Sequence, residues 1–193
     1  LNKKPIIIPN KPYATQFSNN KKPEEISNEL WSKLSKKDLI LYQGAIDRKR
    51  RRLDYLCEAM EYLPSKYILG IMASESEDKL FLENKYASDR IIFLPFITPP
   101  NHLQITSLAK IGYLTYNTYN SPIEDCINLL FCAPNKVYEY SKYGIPMVSN
   151  SLPALKLSFN QFQAGICLDE LNARQLAEAV LKIERNYELY SIH

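Results

Sequence analysis

Leu39-Ile40-Leu41-Tyr42-Gln43-Gly44 is followed by a basic run, Arg48-Lys49-Arg50-Arg51-Arg52. After it come Leu53, Leu56, Cys57, Met60 and Leu63, and then Tyr67-Ile68-Leu69-Gly70-Ile71-Met72. The first and last stretches are apolar throughout and of strand length, the pattern of strands buried on both faces. The residues between recur at three- and four-residue spacing, which predicts one face of an amphipathic helix over 53–63, stopped by Pro64. Strand, helix and strand at this spacing form a βαβ unit with a right-handed crossover.

The alternation continues beyond it. Glu77 to Tyr86 reads as a helix, and Arg90-Ile91-Ile92-Phe93-Leu94 as a strand ended by Pro95. His102 to Lys110 reads as a helix burying Leu103, Ile105, Leu108 and Ala109, and Tyr113-Leu114-Thr115-Tyr116 as the fourth strand. Asn135, a favourable N-cap residue, opens a helix to Tyr143 that Gly144 closes. Pro146 to Ser149 and Gly165 to Leu168 read as strands five and six. A last helix starts near Asn172, with Gln175 at capping-box spacing. The expected fold is α/β: a Rossmann-like, doubly wound parallel sheet of about six strands with helices on both faces. Ligands bind such sheets outside the carboxyl ends of the strands, here near Gly44, Ala73, Pro95, Tyr116, Ser149 and Asp169.

The chain has 193 residues, about 1.3 times a typical domain of about 150. Residues 1–29 hold four of its twelve prolines, with Ile6-Ile7-Ile8 as a short strand and Glu24 to Leu34 as a short helix presenting Trp31 and Leu34. We expect residues 1–37 to be an interdomain linker or arm and 38–193 the domain. A chain starting at Leu1 without a signal pattern reads as a piece of something longer.

Composition removes several function classes. Hydrophobic residues at 46% and charged residues at 23% are ordinary for a globular domain and exclude general disorder. A net charge of +3 is too mild to argue for nucleic acid. No apolar stretch approaches the length of a membrane-spanning helix. The cysteines at 57, 126, 132 and 167 form no CxxC pair, so they read as small core residues in a reducing compartment. With His102 and His193 the only histidines, a His-rich metal site is ruled out. His102 opens a predicted helix without a legible partner, which leaves structural and catalytic roles open. The 14 tyrosines are too scattered to form a stacking platform. Walker, EF-hand, nucleophile-elbow and GxGxxG patterns are missing, so a dinucleotide is not supported.

Two segments carry candidate chemistry. Gly44 and the basic run at a predicted helix start suit a diphosphate: glycine admits close approach, helix N–H groups face an anion, and arginines add charge-assisted bonds. The same run also fits a solvated helix face. In Pro134-Asn135-Lys136-Val137-Tyr138-Glu139-Tyr140, the Glu139 carboxylate suits the two hydroxyls of a ribose diol. It equally suits the dipole of its own helix.

Pro134-Asn135-Lys136-Val137-Tyr138-Glu139-Tyr140-Ser141-Lys142-Tyr143-Gly144-Ile145-Pro146-Met147-Val148-Ser149 resembles the donor-site segment of GT-B glycosyltransferases, most closely glycosyltransferase family 4. Tyr42-Gln43-Gly44, the helix through Glu58-Ala59-Met60, Ile91 to Pro95, and Gly165 to Asp169 resemble the family's other landmarks in order, covering about residues 38–190. The resemblance implies the C-terminal, nucleotide-sugar half of a two-domain enzyme whose N-terminal half holds the acceptor. Glu139 matches the second Glu of the family's Glu-x7-Glu motif, which binds the donor ribose. The first falls at Phe131, a departure that weakens the assignment of a carboxylate beside the transferred sugar.

By the same resemblance, Lys49 and Arg51 would stabilise charge on the diphosphate. Gly44, Asn128, Asn135 and Lys136 would lie beside the diphosphate or sugar, with Phe96 and Ile97 at the base. Ala73 and Ser74 replace the family's second glycine turn. The implied protein is a retaining glycosyltransferase of surface polysaccharide synthesis using a UDP- or GDP-sugar. It would need no cofactor and no metal and would bind no nucleic acid. It would be cytoplasmic, with membrane contact only through the missing N-terminal domain, and the fragment alone would be nearly inactive. The alternatives are a GT-B-fold nucleotide-sugar epimerase and a degenerate, non-catalytic binding module.

Overall fold

The computed structural model describes residues 21–117, 122–131 and 134–191. Six strands form one sheet, β1 (Asp38–Gln43), β2 (Tyr67–Met72), β3 (Ile91–Leu94), β4 (Ala109–Leu114), β5 (Met147–Asn150) and β6 (Gly165–Leu168), in the order β3-β2-β1-β4-β5-β6. Every neighbouring pair is parallel. This is the doubly wound α/β arrangement that the alternation of strands and helices predicts. The order reverses between β1 and β4, where connections leave to opposite sides and open a crevice at the carboxyl ends.

Strand β1 shows how one run feeds two cores. Ile40 and Tyr42 join one apolar cluster and Leu39 and Leu41 the other, with side chains alternating across the sheet. On the first face, Leu53, Leu56 and Cys57 of α3 (Leu53–Ala59) meet Leu176, Val180 and Ile183 of α9 (Ala173–Arg185). On the second lie Leu34 of α1 (Asn28–Lys36), Ile105 of α5 (Leu103–Thr106), Tyr140 of α7 (Asn135–Ser141), and Leu155 and Phe159 of α8 (Pro153–Phe162). Each such fully buried side chain is worth about 1.5–3 kcal/mol over exposure. Ile26 and Leu34 are both buried, so the chain from residue 26 onward packs on the sheet. Ser27 caps α1 by accepting from the Leu30 amide.

Several local expectations change. The helix over 53–63 ends at Ala59 and finishes as a 3-10 turn, Met60–Tyr62. The helix expected over 102–110 is only α5, because Ala109 onward pairs with β1 as strand β4. Burial of Ile111, Tyr113 and Leu114 between two helical layers outweighs the helical spacing upstream. The fourth strand therefore starts earlier than residue 113 and stops at Leu114. Asn135 is the first residue of α7 and not its cap; Pro134 holds the cap position, with no side-chain cap bond. In α9 the expectation is met: Asn172 accepts from the Gln175 amide at 2.9 Å.

Helices α2 (Arg48–Arg51), α4 (Glu77–Tyr86), α6 (Ile123–Phe131) and α10 (Tyr187–Tyr190) complete the set. The expected strand at Ile6–Ile8, Cys132 and His193 lie outside the described residues. Among the described residues no helix is long and apolar enough to cross a membrane.

Candidate functional site

Gly44 ends β1 at the crevice. Its φ is +124°, so the backbone requires glycine, and a Cβ there would stand 2.9 Å from Cε of Lys136 and displace the end of that side chain. The chain then turns through Asp47, whose carboxylate accepts from the amides of Lys49 and Arg50 and caps α2. The Arg48 amide donates to Asp78. Carboxylates therefore occupy the amides of Arg48, Lys49 and Arg50 at the start of α2, which leaves side chains rather than helix N–H groups to meet an anion beside Gly44.

The basic run is sorted by its neighbours. Arg48 pairs with Asp78 at 2.6 Å and lies over Phe81. Arg52 pairs with Asp54 at 2.9 Å and stacks on Tyr55. Lys49 is exposed, and its charge helps to hold the Asp78 carboxyl below its usual range. Arg51 turns into the crevice: its guanidinium sits 4.2 Å over the Tyr116 ring and donates to the Thr115 carbonyl at 3.2 Å. Its Nε is buried without a hydrogen-bond partner. Tyr116 is held in turn by Asn150 at the end of β5, which accepts from its amide and donates to its carbonyl.

Helix α7 brings the opposing groups. It is pinned by Tyr140, whose hydroxyl donates to the Leu41 carbonyl at 2.8 Å and whose ring lies over β4 at Gly112. A Cβ at Gly112 would come within 2.6 Å of that ring, so this glycine sets how closely α7 approaches the sheet. The residue before Tyr140 is Glu139. Its Oε2 accepts from Gln43 Nε2 and its Oε1 faces His102 Nε2 at 3.2 Å. Gln43 is itself held by the Thr106 hydroxyl at 2.8 Å. Burial would raise the Glu139 carboxyl pKa. The bonds from His102 and Gln43, with the charge of Lys136, outweigh burial and hold it below the usual range.

Lys136 reaches under Gly44, 4.2 Å over the Tyr42 ring and 5.9 Å from Tyr116. The residue keeps some exposure along its length, but its ammonium is enclosed by these rings. Desolvation, with the positive field of Arg51, pushes its pKa down to about 7, and Glu139 offsets only part of this. Arg51, Lys136 and the ionised Glu139 carboxylate therefore share the switch-point crevice.

No protein-family model matches the chain, and no curated protein matches it. Solved structures do. The chain overlays Anabaena Alr3699/HepE in complex with UDP-glucose at TM-score 0.66 and 12% identity, over 84% of this chain and 43% of that one. It overlays WaaG, a glycosyltransferase involved in lipopolysaccharide biosynthesis, at 0.60 and 16%, over 87% and 45%. With the C-terminal domain of the Francisella tularensis group 1 glycosyl transferase LpcC the values are 0.63 and 12%, over 88% of both chains. The fold is that of a GT-B C-terminal domain. The chain spans under half the length of HepE and WaaG.

Within this fold, the crevice gathers Gly44, Arg51, Lys136 and Glu139 from the residues singled out in the sequence. Lys49 stays outside. Phe96 is exposed and Ile97 buried on the loop after β3, and Asn135 is exposed at the start of α7. The Asn128 side chain lies outside the described residues, and Phe131, at the end of α6, is exposed. Sequence alone assigns no role to Gln43, Thr106 and Tyr116 and leaves that of His102 open. Gln43 had a signal, a polar residue closing an apolar strand beside the glycine turn. His102 and Thr106 had none, because their partners, Glu139 on α7 and Gln43 on β1, are 37 and 63 positions away.

Proposed function

We propose that this chain is the donor-binding domain of a retaining glycosyltransferase. It would hold a nucleoside diphosphate sugar for transfer to a glycan or lipid-linked acceptor in surface polysaccharide synthesis. One observation carries the reading: an enclosed, ionised carboxylate, Glu139, at the switch point, with Arg51 and Lys136 beside it and no acid paired to either among the described residues. A nucleoside diphosphate complements that set, its ribose diol donating to Glu139 and its diphosphate answering the two cations. HepE, of the same fold, is described with UDP-glucose, and S. aureus MnaA with UDP.

The chemistry follows from the charges. Breaking the bond between sugar and diphosphate leaves negative charge on the departing oxygen. Arg51 and Lys136, preorganised in a partly dry crevice, would stabilise that charge more in the transition state than in the ground state. Gly44 would let the backbone approach the diphosphate, Phe96 and Ile97 would border the base, and Asn135 would lie toward the sugar. Lys49 contributes long-range field only. The acceptor, held by a separate N-terminal half, would present the hydroxyl whose oxygen forms the new bond to the sugar, its proton passing to the departing diphosphate oxygen. That half would also make any membrane contact of an otherwise cytoplasmic enzyme, and the chain alone would bind nucleotide with little turnover.

Calorimetric titration with UDP and GDP tests this. One nucleotide should bind, and Glu139→Ala should weaken it by about a hundredfold, the loss of two hydrogen bonds to a charged group. Equal binding by wild type and variant would overturn the donor reading in favour of a non-catalytic module.

A further inference from the structure

The groups around Glu139 form a directed relay. Thr106 Oγ1 donates to Gln43 Oε1 at 2.8 Å, Gln43 Nε2 donates to Glu139 Oε2, and His102 Nε2 meets Glu139 Oε1 at 3.2 Å. Gln43 and Thr106 are buried. The Nδ1 atom of His102 is buried without a partner, so the bond to Glu139 is the one this ring makes. An ionised carboxylate only accepts, so each neighbour must present an N–H to it. A carboxylate offers about four acceptor positions. The relay takes one on each oxygen and leaves one on each.

We infer that His102 and the Thr106–Gln43 pair are positioning residues that aim the two remaining acceptor positions of Glu139 at a vicinal diol and so set the preference for ribo- over deoxyribonucleotides. The inference rests on the donor reading above and adds a selectivity to it. A carboxylate held on one oxygen alone could rotate to meet a single hydroxyl. Held on both, it accepts two donors at fixed spacing, and a sugar lacking the diol leaves those positions buried and unanswered.

The test uses the full chain with UDP, GDP and their 2′,3′-dideoxy forms, titrated calorimetrically, with thermal melts to confirm folding. Wild type should prefer the ribo form by at least about tenfold. His102→Phe, which keeps the ring and loses the N–H, should bring that preference below about threefold while leaving affinity for the dideoxy form unchanged. His102→Gln, which restores a donor, should recover it. Thr106→Val, acting through Gln43, should lower it independently should His102→Phe fail to fold. If His102→Phe and Thr106→Val weaken both forms in equal proportion, or if wild type binds nucleotide without preferring the diol, the positioning role is overturned and the donor reading stands. Wild type binding neither nucleotide would overturn both.

Discussion

Two clusters of charge sit at opposite ends of the same sheet. At the amino ends, Asp38 opens β1 and meets Lys66 at 3.2 Å and Lys110 at 3.1 Å. Glu184 of α9 pairs with the same two lysines. Two acids and two bases alternate, and the cluster ties α9 to the start of the sheet. At the carboxyl ends, Arg51 and Lys136 face each other's field, and the nearby acid is already engaged by Gln43 and His102. The balanced cluster serves the fold. The unbalanced one costs stability, because an enclosed ammonium beside another cation disfavours its own charge. The difference is what the proposed diphosphate site would require.

Arg51→Ala breaks the unbalanced cluster most directly. It should weaken UDP by at least about tenfold while leaving uridine unchanged, and Lys49→Ala should cost under about threefold and vanish in high salt. Equal effects in titrations of the two variants would mean that the whole basic run acts as a diffuse field.

Lys136 sharpens the comparison through pH. The groups facing it are Arg51, Glu139, Tyr42 and Tyr116. Its folded pKa, about 7, lies below the ordinary lysine value of about 10.4, so between those limits the unfolded chain binds the extra proton. Its destabilising contribution is full below about pH 7 and fades as pH rises toward about 10. Lys136→Met should raise the stability of the empty protein at pH 7 by on the order of 1 kcal/mol, while weakening UDP. UDP affinity of the wild type should fall from pH 7 to pH 9 as the ammonium is lost, a slope absent in the variant. Melts and titrations across that range decide it.

The smallest effect belongs to the balanced cluster. Glu184→Gln should cost about 0.5–1 kcal/mol in denaturant unfolding, since its side chains are a quarter to a half exposed, and should leave UDP affinity untouched. A change in UDP affinity would mean that the two ends of the sheet are coupled.

Much of the fold is legible along the chain because its strands are buried on both faces. Tyr67–Met72 and Gly165–Leu168 read as strands at the bounds they have. The failures lie where tertiary pairing overrides local period. Leu103 to Ala109 carries helical spacing, yet Ala109 is claimed by β1. Helix α8 has its own signals, Pro153 in the first turn and Leu155 and Phe159 four apart, but sits between short strands that draw the eye.

For the site, residue types and their places at strand ends were open to reading. Glycine at the β1 turn, arginines after it, and an acid on the helix before β5 are properties of composition and order. The partners were not, because a hydrogen bond between Gln43 and Glu139 spans 96 positions and depends on how closely α7 lies on the sheet. That distance is set by the Tyr140 ring filling the space Gly112 leaves open. Sequence alone determined the alternation that builds the sheet and the candidate groups at its carboxyl ends. Only the tertiary structure chose Arg51 over Lys49 and joined His102 to Glu139, because packing and charge pairing act between segments far apart in the chain.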